Sequence, residues 1–421
     1  MKKIKEDAVL SGNIVLGFDP NSKELQYDPY PTFEQLREHD PVHRAAAGYW
    51  VVSRYDDVRN TLMDRKGFGQ GDFVKNIQLF YGPDFDVLSH TSYRWLSEIF
   101  LMQDPPHHTR LRSLVTGALT AKRVQAMRPR ILQITNDLID SFIVDGEADI
   151  ISSFAYKLPV LVMCDMLGVA GDDDRLDQVI EAIAKSFIIF EARALSSDEL
   201  ETADREIAFL ESFFEELFEQ RRLDPKDDLT TALVQSGDGE DALSLHELGT
   251  VAIGLFGAGF ETTAHLIGNG LLCFSKFPSQ WAILKDDPEK YAAAAANEVL
   301  RYESSLIATY RTALEPSIIN GQHIEAGEKV LTLIGAANRD PRKFSDPDNF
   351  DITRDASSHM SFGGGIHFCV GAELARLEGR IAFGELARRM PDLRVETTTP
   401  AWRDGFMFRG MSRLSAQWTP I

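Results

Sequence analysis

Cysteine is scarce in this chain. Its 421 residues hold three, Cys164, Cys273 and Cys369, too few and too scattered for a disulfide framework or a zinc cluster. A reducing compartment, the cytoplasm, is the natural setting. Positive charge is in deficit: 44 Lys and Arg stand against 64 Asp and Glu, a formal net charge of −20. Such a balance excludes a protein that coats nucleic acid or an anionic membrane with its whole surface. No apolar run of signal-peptide length follows the charged start at Lys2, Lys3, Lys5, Glu6 and Asp7, so nothing there marks the chain for export. Repeats are lacking too, and the loops at 224–228 and 237–241 are too short to be domain linkers. The length alone would suggest two or three domains, but a single domain over 1–421 is the expectation.

What is present is a composition of 44% hydrophobic residues with 26 Phe, enough for a substantial core. Helical periodicity dominates from Pro106 to about Asp145 and again from Ala148 to Leu223, where Phe209, Phe213, Phe214, Leu217 and Phe218 share one face. Tyr49 to Ser53 reads as a strand, and residues 309–335 mix β-type runs with Gly turns. The stretch from Gly67 to Gln103 is irregular and too long for a plain connector, a candidate binding wall with a little helix of its own. The fold class expected is mainly α with small β-sheets.

The most informative stretch runs from Leu248 to Ser275, long enough at helical rise to reach about 40 Å, with Glu261 its only charged residue. Ser244 and Glu247 form a capping-box pattern at its start. A membrane span would not keep a carboxylate at mid-length and six glycines. Glycines let something flat approach the backbone, and Glu261 with Thr262 would place an acid and a hydroxyl beside it to move protons. The plainer reading is a packing helix whose Glu reaches a buried Arg. Glu298 and Arg301 are opposite charges at i, i+3 on a later helix, ordinarily a surface pair. Apolar neighbours and a further cation, Arg354, suggest instead a buried network pinning the loop-rich section downstream. In Phe362-Gly-Gly-Gly-Ile-His-Phe-Cys369-Val-Gly371, three glycines permit a tight hairpin. Cys369 then sits just before a helix, where main-chain N–H groups and the macrodipole favour a thiolate.

That decapeptide resembles the haem-binding loop of the cytochrome P-450 family: Phe, two spacers, Gly, one spacer, His, one spacer, Cys, one spacer, Gly. In the family's order it is joined by Ala258-Gly-Phe-Glu-Thr-Thr263, by Glu298 to Arg301, by Asn338-Arg-Asp-Pro341 and by Phe350 to Arg354. Asp104 to Arg112 looks like the family's early propionate-binding segment. The likeness runs from about Asp28 to the end and is closest to soluble bacterial members. Ser305 stands where many members have Pro, and His107 where an acid is commoner.

The resemblance implies a triangular, helix-rich fold with haem b between the long central helix and the helix after the Cys loop. Cys369 would be the axial thiolate, favouring O–O cleavage. Phe362 and Gly371 belong to its loop, and His108, Arg112, Arg311 and His367 would hold the propionates. Glu261 and Thr262 would relay protons to bound dioxygen, and Gly259 would leave room for it. Expected from this is a monooxygenase inserting one oxygen atom into a small organic substrate, by hydroxylation or oxidative O-demethylation. Phenol coupling, desaturation, peroxygenase chemistry and a non-enzymatic haem sensor are the rivals. The pocket, with Phe80, Phe187, Leu306 and Phe406 as candidates, is mostly apolar and suits a substrate with an apolar body. Electrons would come from a ferredoxin, served by a ferredoxin reductase, docked on a basic face. Between Pro105 and Asn136 lie six cations (Arg110, Arg112, Lys122, Arg123, Arg128, Arg130) and no acid, and Arg376, Arg380, Arg388 and Arg389 add to them. No role for nucleic acid or membrane is expected.

Overall fold

Ser244 caps the longest helix as expected, its hydroxyl accepting from Glu247 N–H while the Glu247 carboxylate accepts from Ser244 N–H. The computed structural model describes residues 17–171, 173–191, 193–236, 242–398 and 400–420. The charged start and the 237–241 loop lie outside the described residues. Eight helices position the site: α1 (Phe73–Tyr81), α2 (Thr91–Glu98), α3 (His107–Ala118), α4 (Lys157–Leu167), α5 (Ser197–Leu223), α6 (Leu245–Lys276), α7 (Pro288–Tyr302) and α8 (Ala372–Arg389).

Helix α6 is long and apolar enough to cross a membrane, yet protein covers it, with α4 and α5 packed on it together with α7 and α8. At two of its glycines a flat ring of the chain itself lies against the backbone. A Cβ at Gly257 would collide with the Phe187 ring, and one at Gly270 with the Phe383 ring. The Phe stripe of α5 faces the core as expected, Phe213, Phe214, Leu217 and Phe218 being buried and Phe209 partly so.

The main sheet holds β1 (Val42–Arg44), β2 (Trp50–Val52), β3 (Phe68–Gly69), β4 (Thr309–Ala313) and β5 (Lys329–Thr332), in the order β1-β2-β5-β4-β3. Strands β4 and β5 pair antiparallel with Tyr310 opposite Leu331, Arg311 opposite Val330 and Thr312 opposite Lys329. Side chains alternate across a sheet, so Arg311 and Lys329 leave it on opposite faces. The 67–103 region is more ordered than the sequence suggests. Asp72 caps α1 by accepting from Lys75 N–H, and α2 is anchored by the fully buried Trp95, whose indole N–H donates to Thr250 O at 3.3 Å.

Candidate active site

The Cys369 loop is set by main-chain geometry. Gly363 and Gly365 adopt φ of +69° and +63°, a region open to glycine at little cost, and a Cβ at Gly365 would strike Leu62 O. Gly363 N–H donates to Met360 O at 2.8 Å, and Cys369 N–H donates back to Phe362 O at 2.9 Å, closing the hairpin. Asn338 fastens the entry: its Oδ1 accepts from Met360 N–H at 2.7 Å and its Nδ2 donates to Ser304 and Ser361, each at 2.9 Å.

Beneath the loop lies the expected charge network. Glu298 and Arg301, both fully buried, form a two-pronged pair with Nη2–Oε1 at 2.7 Å and Nε–Oε2 at 2.8 Å. Arg354 Nε stands 3.3 Å from Glu298 Oε1. Arg301 also donates to the carbonyls of Asn338, Pro347 and Asn349 at 3.1, 2.7 and 3.1 Å, so the network pins the segment leading to the Cys loop.

Four basic side chains converge above it. The rings of His108 and His367 lie 4.4 Å apart, both are buried, and none of their four ring nitrogens has a hydrogen-bond partner among the described residues. Arg311, 5% exposed, donates to Tyr310 O, and Arg112 donates to Phe368 O. Nearby Asp104 already accepts from Gln70 and Gly71 N–H. Burial, helped by Arg311, His108 and Arg112, pushes His367 down to about 3. Burial lowers Arg311 to about 10. Basic groups held this way lack an anion.

Cys369, Arg112, Arg311, His367 and α6 line one cavity of about 350 Å³, with His108 packed behind His367. Burial pushes the Cys369 thiol up, against the Gly371 N–H, Arg112 and Arg376, which lower it. The N–H at the start of α8 thus favours the thiolate in the expected sense, while burial opposes it. On the other wall, Thr262 Oγ1 donates to Ala258 O at 2.8 Å. Glu261 is paired with Arg403 Nη1 at 2.6 Å, and Arg403 also donates to Tyr156 Oη. Burial raises the Glu261 carboxyl and Arg403 opposes it. Glu261 thus lines the cavity and also reaches an arginine, a half-buried one.

Phe80, Phe187, Leu306, Phe362 and Gly371 line the cavity, as do residues of the 67–103 wall, among them Asn76, Ile77 and Phe100. Two expectations are corrected. Phe406 is turned away, its ring edge-on to Phe18 and Phe33 at 5.6 and 6.4 Å, because its N–H is tied to Glu191 Oε2 at 2.9 Å; its neighbours Met407 and Phe408 face the cavity instead. The space at Gly259 is occupied by the Met163 side chain, whose sulfur would lie 2.6 Å from a Cβ there. Arg403, Lys329 and Glu378 also belong to the site and were not anticipated. A lone Lys or Arg in a short strand or loop gives no signal of its own.

The family model for Cytochrome P450 matches residues 70–284 and 289–391. Cytochrome P450 107B1 of Saccharopolyspora erythraea is 38% identical over 92% of this chain and 94% of its own. The 6-deoxyerythronolide B hydroxylase of the same organism is 36% identical over 94% and 97%. The crystal structure of CalO2 superposes with a TM-score of 0.88 at 31% identity, over 96% of this chain and 100% of the other. This chain belongs to the cytochrome P450 family.

As a P450 it is a haem b-dependent monooxygenase that acts on small organic molecules. The residues present fit that cofactor: the nitrogens of His108 and His367, unpartnered among the described residues, with Arg112 and Arg311, suit two carboxylates, and Cys369 lines the same cavity as Arg112, Arg311 and His367. When bound there, the haem would supply the oxygen-activating chemistry of a monooxygenase, which puts one oxygen atom of dioxygen into the substrate and releases the other as water. The chain's own contribution is the thiol, the basic cluster, a largely apolar cavity that limits water, and a hydroxyl and carboxyl on α6.

Proposed function

We propose that this P450 oxidises a molecule with an apolar body, using Cys369 as axial thiolate and Glu261 and Thr262 in proton delivery. His108, Arg112, Arg311 and His367 would hold the propionates. The observation that carries this reading is that Arg112, Arg311 and His367 line the Cys369 cavity with His108 against His367, the two imidazoles having orphaned nitrogens among the described residues. Arg403 keeps 29% of its side chain exposed while Glu261 keeps 5%, so the pair supports a route for protons from solvent to the cavity wall. Thr262, on the cavity side of α6, would hand them on. Glu261 and Thr262 together disfavour peroxide-driven chemistry, which needs no proton delivery to dioxygen. Hydroxylation and oxidative O-demethylation both suit a cavity lined mainly by Phe, Leu, Ile and Met. A cytoplasmic enzyme served by a ferredoxin completes the reading.

The test is spectroscopic first. Reduced protein under carbon monoxide should give the strongly red-shifted Soret band of a thiolate ligand, lost in Cys369→Ser and kept in Cys164→Ser and Cys273→Ser. Both of the latter thiols are buried and pushed up by burial, Cys164 to about 12. A histidine-type band from undenatured wild-type protein would sink the ligand assignment. Turnover with a ferredoxin, its reductase and candidate compounds then reads the product.

A further inference from the structure

Three cations line the cavity among the described residues: Arg112, Arg311 and Lys329. The first two are accounted for by the propionates. Lys329 is not, because it leaves the β4–β5 pair on the face opposite Arg311, in register with Thr312. There it meets α1 and the distal wall. Only 7% of the residue is exposed, no acid lies within ion-pair distance of it among the described residues, and its one hydrogen bond is a long 3.5 Å to Asn76 O. Its Nζ lies 4.2 Å from the Tyr310 ring centroid and 5.0 Å from that of Phe80. Aromatic faces offset a buried ammonium by about 0.5–2 kcal/mol, less than the several kcal/mol that desolvation costs. The group lacks an anion.

We propose that Lys329 is a substrate anchor, and that the molecule this chain oxidises carries an oxyanion, a carboxylate or a phosphate, on its apolar body. Tyr310, Phe80 and Asn76 wall the ammonium into a small polar spot in an otherwise greasy cavity. The anion held there takes the place of the missing counter-charge, and the body extends from it along Phe80 and Leu306 toward the Cys369 side. This rests on the monooxygenase reading above and sharpens its substrate class. Burial brings the Lys329 amine down to about 7, as suits a cation with no partner until ligand arrives.

The experiment compares dodecanoic acid, dodecyl phosphate, methyl dodecanoate and dodecanol as probes of the haem-loaded protein, by calorimetry and by the shift in haem absorption. At pH 6 to 7 one or both anions should bind about tenfold or more tightly than the ester and alcohol, and whichever is tighter names the oxyanion. Lys329→Met should erase that preference while leaving ester affinity, haem content and the carbon monoxide band unchanged, and Lys329→Arg should restore most of it. Equal binding of all four probes to wild type overturns the proposal, as does a loss in Lys329→Met shared equally by acid and ester. A fall in haem content in Lys329→Met would assign the residue to a propionate and overturn it too. If instead the wild type lacked the thiolate band, the ligand assignment would fail while the calorimetric anion preference could still be read.

Discussion

Thr262 is a hydroxyl whose only side-chain hydrogen bond among the described residues is the one it donates back to Ala258 O. Such i to i−4 bonding adds little to a helix, so Thr262→Ala should leave thermal stability almost unchanged. Removing the Oγ1 from the proton route should divert much of the electron flow to hydrogen peroxide, measured as peroxide formed per reductant consumed. An unchanged product yield would transfer the relay to an ordered water or to Thr263, which is 2% exposed. At Lys329 the pH dependence has a definite sign. The groups facing its amine are Tyr310 and Thr312 from β4 and Asn76 and Phe80 from α1. Tyr310 is pushed well above its ordinary value by burial and stays neutral, so Lys329 alone titrates. With the amine at about 7, acid affinity should be full below pH 7 and fall about tenfold per pH unit above it. The affinity of the methyl ester should be flat over the same range. Parallel pH curves for the two would show that another group is responsible.

On α6, Gly257 is a contact between the central helix and the roof of the cavity. A Cβ added there overlaps the Phe187 ring, and Phe187 also touches Phe190 and Trp95 with centroids at 5.0 and 6.2 Å. Gly257→Ala should improve helix propensity by about 1 kcal/mol yet destabilise overall by about 1–3 kcal/mol through overpacking. Phe187 would be driven toward the cavity, tightening selection against bulky ligands. Denaturant unfolding with ligand titration checks both effects, and Phe187→Leu should partly relieve the strain. How much of this was legible from sequence depended on distance along the chain. The Glu298–Arg301 pair and the Ser244 capping box follow from helical spacing, because their partners lie within one turn. The Cys369 hairpin was legible from its glycines. The Glu261–Arg403 pair was not, since only the folded chain brings that loop to α6. Sequence places Phe406 with its apolar segment through Phe408 at the pocket, whereas the Glu191 carboxylate holding its N–H decides which way Phe406 points. Helices α1 and α2 were underestimated because Gly and aromatic residues blur the period that a short helix needs in order to be recognised.

At the scale of the molecule, a net charge of −20 repels an acidic carrier at long range, and docking therefore depends on where the cations remain free. The structure narrows the basic face. Arg110 pairs with Glu247, Arg130 with Asp165, Arg376 with Glu373, Arg388 with Glu385 and Arg389 with Asp140. Lys122, Arg123, Arg128 and Arg380 form no ion pair among the described residues. Lys122 and Arg123 lie in the short helix Ala121–Ala126, which packs on α8, the helix that follows Cys369. Beside the thiol, Phe368 is 41% exposed with its carbonyl held by Arg112, so the shell between Cys369 and solvent is thin on this side. A ferredoxin seated there would place its acidic surface on the free cations and its cluster near the thiolate. Steering by such exposed charges weakens as the Debye length shrinks, from about 10 Å at 0.1 M salt to about 3 Å at 1 M. The rate of electron transfer should fall with ionic strength, and Lys122→Glu with Arg123→Glu should slow it by roughly tenfold at low salt while substrate affinity stays constant. Arg110→Glu is the weaker probe, since it also breaks the pair with Glu247, and Arg112 is weaker still because its loss disturbs the propionate site. A reduction rate indifferent to salt and to both reversals would move the docking surface elsewhere.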